Sequence, residues 1–195
     1  MSVHSNQGQA AAPAPESVKI LVAGGFGVGK TTLVASVSEI PPLSTEETLT
    51  EASTDIDDLT GIEGKTTTTV AFDFGRITIQ RDELVLYLFG TPGQDRFWFM
   101  WNELAQGAVG AIVLVDTRRL QTSFAAVDFF ERRSIPIVVG INHFPDSHWY
   151  EPDEIRAAMA IPESVPVIVC DARNRRSCKQ MLITLFEHAL ARVPG

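Results

Sequence analysis

The run Gly24-Gly25-Phe26-Gly27-Val28-Gly29-Lys30-Thr31 fits the spacing G-x-x-x-x-G-K-[ST] without a mismatch. Before it lies Val18-Lys19-Ile20-Leu21-Val22-Ala23, a short apolar, β-branched run suited to a buried strand. After it lies Thr32-Leu33-Val34-Ala35-Ser36-Val37, with helical spacing. Strand, glycine loop and helix in that order confine the chain to folds that hold a phosphate at a helix N-terminus. The glycines let the backbone curl so that several N–H groups converge on the phosphates. Lys30 supplies a point charge toward the β- and γ-phosphates, and the Thr31 hydroxyl can ligate Mg2+. Thr32 is a helix residue within reach of the α-phosphate. The ligand class is a nucleoside triphosphate with magnesium; a glycine turn that binds nothing would not need this context.

The remaining composition narrows the setting. A length of 195 residues suits one domain with one core. Residues 1–17, polar with Ala and Pro, read as a disordered arm, and residues 18–195 as the folded domain. No apolar run approaches a membrane span, and no lipidation signal is present, so direct membrane insertion is not expected. The setting expected is the cytoplasm, with any membrane visit carried by a partner. Cys170 and Cys178 form no metal pattern and read as reduced thiols. A net charge of −8 argues against a nucleic-acid partner. Arg173, Arg175, Arg176 and Lys179 form only a small cluster at a helix start, read as a solvated face.

Further along, Pro41-Pro42 should stop the first helix. Residues 43–65 are polar and acidic without a sustained period, and read as a long loop. A hairpin follows, Val70–Ile79 and Leu84–Phe89, then the break Gly90-Thr91-Pro92-Gly93-Gln94. Strands are expected at 109–115, 135–141 and 165–169. Helices are expected at 122–132, 152–159 and 177–191, the last with Met181, Leu182, Leu185, Phe186 and Leu190 inward. Strands alternating with helices predict an α/β, three-layer fold. Its central sheet is mostly parallel with one antiparallel edge strand, and helices cover both faces. Ligands of such sheets sit outside the carboxyl ends of the strands. Five loops should meet there: the glycine loop, Thr66–Thr69, Gly90–Gln94, Asn142–Asp146 and Cys170–Arg173.

These motifs together resemble the Ras-like small GTPases within the P-loop NTPases, and more narrowly the bacterial gliding-motility and conservon-type branch. The likeness spans nearly the whole chain after residue 17. It implies guanine nucleotide, GTP or GDP, with Mg2+. It implies that Thr69, entering the strand as Thr69-Val70-Ala71-Phe72, is the switch threonine that closes over Mg2+, with Thr68 as the runner-up. It implies that the Gly93 N–H meets the γ-phosphate and that Gln94 orients the attacking water. The family's Asp-x-x-Gly-Gln has Gly90 in place of its aspartate here, which removes the carboxylate that usually serves the metal. Asp116, at the end of a later strand, lies too far along to replace it. The family's Asn-Lys-x-Asp reads Asn142-His143-Phe144-Pro145-Asp146, with Asp146 one residue late. A shifted turn can present Asp146 to guanine, and His143 or Phe144 can stack on the ring. Ala172 matches the residue whose N–H meets the guanine oxygen, with Arg173 beside it.

No arginine adjoins Thr69, so slow intrinsic turnover is expected. The run Phe97-Trp98-Phe99-Met100-Trp101 cannot face one helical side throughout, and exposed aromatics beside a switch suggest a protein contact. The resemblance implies a small roadblock-type partner. The leading expectation is a GTP-hydrolysing molecular switch. The alternatives are a nucleotide-binding scaffold with little hydrolysis and a P-loop phosphotransferase; the latter lacks the expected arginine-rich lid.

Overall fold

A computed structural model describes residues 15–41, 43–50, 67–79, 84–93 and 99–192. In chain order the elements are β1 (Glu16–Ala23), α1 (Lys30–Val37), β2 (Leu43–Thr50), β3 (Thr67–Ile79), β4 (Leu84–Gly90) and α2 (Phe99–Ala105). Then come β5 (Ala108–Val115), α3 (Gln121–Arg132), β6 (Ile137–Asn142), α4 (Pro152–Ala158), β7 (Val167–Cys170) and α5 (Arg175–Leu190). Strand β1 starts at Glu16, two residues ahead of the apolar run that begins at Val18.

The strands form one sheet in the order β2-β3-β4-β1-β5-β6-β7. β3 pairs antiparallel with both β2 and β4, and the other neighbours pair in parallel. One strand therefore runs against the rest, as the hairpin implied. It is not the edge, because β2 lies outside it. The expected loop over 43–65 is corrected at this point: residues 43–50 are a strand. Its polar sequence hid it, since an outermost strand held by backbone pairing needs no apolar face. The remainder of that expected loop lies outside the described residues.

The core has two halves, one on each side of the sheet. Alternation along β1 sends Ile20 and Val22 toward α1 and α5, where they meet Leu33, Val34, Met181 and Leu185. Leu21 and Ala23 point the other way, toward Trp101, Phe130 and Ile155 from α2, α3 and α4. Phe130 is wholly buried against Trp101 and Phe129. The caps fit the chemistry of helix ends. Asn174 accepts from the N–H groups of Arg176 and Ser177, so α5 begins earlier than its apolar spacing predicts. Glu151 and Glu154 form a capping box on either side of Pro152 at the start of α4. One inward expectation fails: Leu190, in the last turn of α5, is 70% exposed.

The register sets the edge where a ligand would sit. Asp73 pairs with Gly90 at the end of the β3–β4 ladder, so residues 67–72 continue past the end of β4. The amino end of β3 thus lies on the same edge as the carboxyl ends of the parallel strands. Among the described residues, no helix is long and apolar enough to cross a membrane.

Candidate functional site

The glycine loop joins β1 to α1. Gly29 has φ 107, and a Cβ there would stand 2.6 Å from Nδ2 of Asn142. Only glycine combines that backbone with that approach. Lys30 is 8% exposed and folds back over the loop. Its Nζ donates to the carbonyls of Gly24 at 3.0 Å and Gly25 at 2.8 Å. Burial pushes its pKa down to about 8, and the charge of Asp73 partly offsets this. Phe26 is exposed beside it, while Val28 is buried. Thr32 is exposed on the first turn of α1.

Thr31 is exposed, and its hydroxyl donates to Oδ2 of Asp73 at 2.6 Å. Asp73 is buried on the face of β3 that carries Gly75 and Ile77. Sequence reasoning missed this residue. The local pattern carried no warning: Val70, Phe72 and Phe74 alternate as an apolar face, so Asp73 falls on the side that the pattern marks as polar. A Cβ on its cross-strand partner Gly90 would stand 2.9 Å from both Cβ and Oδ2 of Asp73. Space that a side chain at 90 would enter is already held by a carboxylate.

After β4 the chain turns onto the glycine loop. A Cβ on Gly93 would lie 2.6 Å from Nζ of Lys30 and 2.9 Å from the amide nitrogen of Phe26. Two bonds pin this turn: Thr91 N–H to the Val22 carbonyl at 2.8 Å, and Trp101 Nε1 to the Pro92 carbonyl at 3.3 Å. The Thr91 hydroxyl is buried and has no partner among the described residues. Gln94 lies outside the described residues, as do Phe97 and Trp98. Thr69 is described only in its backbone, which pairs with Thr48. Phe99 is 60% exposed and Trp101 is 2% exposed, so the aromatic run divides as its spacing required.

Asn142 joins the two ends of the site. It is 4% exposed; its Nδ2 donates to the Val28 carbonyl at 2.8 Å, and its Oδ1 accepts the Ala172 N–H at 2.9 Å. The Ala172 amide expected at a base oxygen is therefore engaged by Asn142. Arg173 chelates Asp171 at 2.9 and 3.0 Å and holds that carboxyl below its usual range, with the charge of His143 adding a smaller pull. His143 is exposed, and its N–H donates to the Cys170 carbonyl at 2.8 Å. Phe144 lies under the Arg118 guanidinium at 4.0 Å, so one of its faces is covered. Asp146 is exposed at the end of this turn.

The turn after β5 supports the loop from behind. Ser123 is fully buried, donates to the Leu114 carbonyl at 3.0 Å and accepts from the Gly25 N–H at 3.4 Å. Asp116 is engaged by Arg118 at 2.9 Å and Arg119 at 3.2 Å. Burial raises its carboxyl, and those guanidinium bonds outweigh that and hold it below its usual range. Arg119 also reaches the Phe26 carbonyl at 3.4 Å. Nothing in the sequence marked Ser123, because its partners arise only from the fold.

A hard cation suits the donors present. The Thr31 hydroxyl and the Asp73 carboxylate are oxygen ligands of the kind Mg2+ takes alongside phosphate and water. Among the described residues, no group of three or more His, Cys, Asp or Glu side chains could cage a metal alone.

Comparison with known proteins agrees with this geometry. The uncharacterized protein MJ1339 of Methanocaldococcus jannaschii is 31% identical over 129 residues, covering 65% of this chain and 70% of that protein. The Ras-related protein RABC2a of Arabidopsis thaliana is 26% identical over 173 residues, covering 84% of this chain and 73% of that protein. The G domain of the T. maritima FeoB iron transporter matches with a TM-score of 0.61 at 15% identity, over 89% of this chain and 99% of that one. The FeoB cytosolic domain in its apo form matches with a TM-score of 0.61 at 14% identity, over 89% of this chain but only 64% of that one. These establish a P-loop NTPase fold of the small-GTPase kind. A family described as conserved hypothetical ATP binding protein matches residues 22–192, which takes in every loop of the site. The chain belongs to that nucleotide-binding family.

Proposed function

We propose that the chain is a guanine-nucleotide switch that slowly hydrolyses GTP to GDP with Mg2+. One observation carries this reading. Gly93 lies against Lys30 and the Phe26 amide, on the surface that a γ-phosphate would share. A turn placed there must respond to the third phosphate, which is what a switch requires. When bound, Mg2+ supplies charge neutralisation between the β- and γ-phosphates. Thr31 and Thr69 are the residues that would hold it. Lys30 and the loop amides stabilise the leaving charge, and Gln94 orients the water.

Guanine is favoured by the likeness to a Ras-related protein and to a G domain, with Asp146 and His143 at the base end. Adenine is the second reading, favoured by the family's description as ATP binding. We place the protein in the gliding-motility and conservon-type branch, working in the cytoplasm as a signalling protein. A small roadblock-type partner docks beside Phe99 and carries it to any membrane. The test is retention of radiolabelled GTP and ATP with release of phosphate. Retained GTP with slow release is expected. Retention without release indicates a scaffold, and a preference for ATP overturns the guanine assignment. Gln94→Leu should slow release and leave binding intact.

A further inference from the structure

We propose that Asp73 is the protein's cation-holding carboxylate, acting with Thr31 and entering from β3 rather than from the end of β4. This rests on the nucleotide-switch reading and names the group its metal step depends on. A phosphate-loop Thr needs a carboxylate partner to hold a divalent ion beside the phosphates. Asp73 is the carboxylate in contact with that hydroxyl: Oγ1 of Thr31 donates to its Oδ2 at 2.6 Å. A hydroxyl has one proton and two lone pairs. With the proton given to Asp73, the lone pairs are left for a cation, and the carboxylate charge strengthens them.

Burial and register support the same assignment. Asp73 is 9% exposed, so a carboxylate there is costly unless paired. Asp73 is close enough for its charge to act on Lys30, the residue before Thr31. Across the ladder, Gly90 leaves room for that carboxylate, and its Cβ would strike Cβ and Oδ2 of Asp73 at 2.9 Å. An acid at 90 and an acid at 73 would compete for one volume. The chain carries the acid at 73 and nothing at 90.

The test uses the full chain loaded with a fluorescent guanine diphosphate, with Mn2+ as the paramagnetic probe of the cation site. Asp73→Asn keeps the size of the side chain and removes its charge. It should weaken Mn2+ binding to the nucleotide complex by about 10- to 100-fold, the usual effect of removing a metal site's supporting partner. Mg2+ should slow nucleotide dissociation from the unaltered protein, and Asp73→Asn should lose most of that response, while dissociation in chelator should be unchanged. The paired exchange Asp73→Gly with Gly90→Asp returns a carboxylate from the other strand and should recover Mn2+ binding; it also decides the matter where Asp73→Asn unfolds. A folded Asp73→Asn protein, or a folded Asp73→Gly protein, that binds Mn2+ like the unaltered chain overturns the assignment alone. An unaltered chain that retains neither nucleotide nor Mn2+ overturns the switch reading with it.

Discussion

Asp73 and Gly90 are direct cross-strand partners, and a Cβ on the glycine would stand 2.9 Å from the carboxylate oxygen. A side chain at 90 must therefore displace Asp73 from Thr31. Gly90→Ala should cost about 1–3 kcal/mol in stability, the usual range for overpacking a tight site. Chemical denaturation would measure it, and Asp73→Gly in the same chain should return most of the loss.

Lys30 should give the unliganded protein an alkaline rise in stability. Its folded pKa of about 8 lies below its ordinary 10.5. Between those values the unfolded chain binds more protons, so unfolding becomes harder as pH rises. The gain attributable to Lys30 is on the order of 3 kcal/mol. The buried thiols act the other way: Cys170, pushed up to about 12, and Cys178, to about 11, keep protons that an unfolded thiol releases near 9.0. They lower stability above that pH. Comparing urea unfolding of the unaltered protein and Lys30→Met from pH 7 to 10.5 isolates the lysine, and parallel profiles would refute its burial.

Asn142→Ala should weaken nucleotide retention and lower the melting temperature together. It removes the bonds to the Val28 carbonyl and the Ala172 N–H and leaves both groups buried. Unmet buried partners cost roughly 1–3 kcal/mol each. Scanning calorimetry and equilibrium binding of a fluorescent nucleotide would report the two effects.

Gly93→Ala should discriminate between triphosphate and diphosphate. The new methyl would meet Lys30 Nζ at 2.6 Å and the Phe26 nitrogen at 2.9 Å. Diphosphate affinity should stay within about threefold, while triphosphate affinity falls at least about tenfold, a difference near 1.4 kcal/mol. Competition binding with a non-hydrolysable triphosphate measures the ratio.

Trp101 should report nucleotide exchange by its emission. Its indole N–H bonds the Pro92 carbonyl, and its ring packs on Phe129 and Phe130. Movement of the turn at Gly93 must disturb that bond. Trp101→Phe should abolish the nucleotide-dependent emission change and cost about 1 kcal/mol for the lost hydrogen bond. An unchanged signal would assign it to another of the three tryptophans.

The elements that the sequence revealed well were those whose pattern is local. The glycine loop, the apolar strands and the helix opened by Pro152 each carry their cause within a few residues. β2 was hidden because its strand state depends on pairing with β3, and Glu46 and Glu47 gave it the look of a solvated loop. Asp73 was hidden for a related reason. It lies within the segment compared with the small GTPases, yet its meaning depends on facing Thr31 and Gly90 across the fold. Asp146 and Phe144 show the converse. The likeness of Asn142–Asp146 to the family's Asn-Lys-x-Asp turn offered both to a base, whereas the folded turn sets Phe144 beneath Arg118. Ser123 carried no local cue at all, since its bonds reach Gly25 and Leu114.

In the proposed seating, the Asn142 bridge would make a nucleotide's two halves partners in one thermodynamic cycle. A base seated near Cys170–Arg173 would order the glycine loop through the same side chain that a phosphate would order from the other end. Whichever fragment arrives first bears the entropy of stiffening both loops, and the second binds to a surface already set. Nucleoside and pyrophosphate given together should therefore bind more tightly than either does alone, with a synergy that vanishes when the carboxamide is removed.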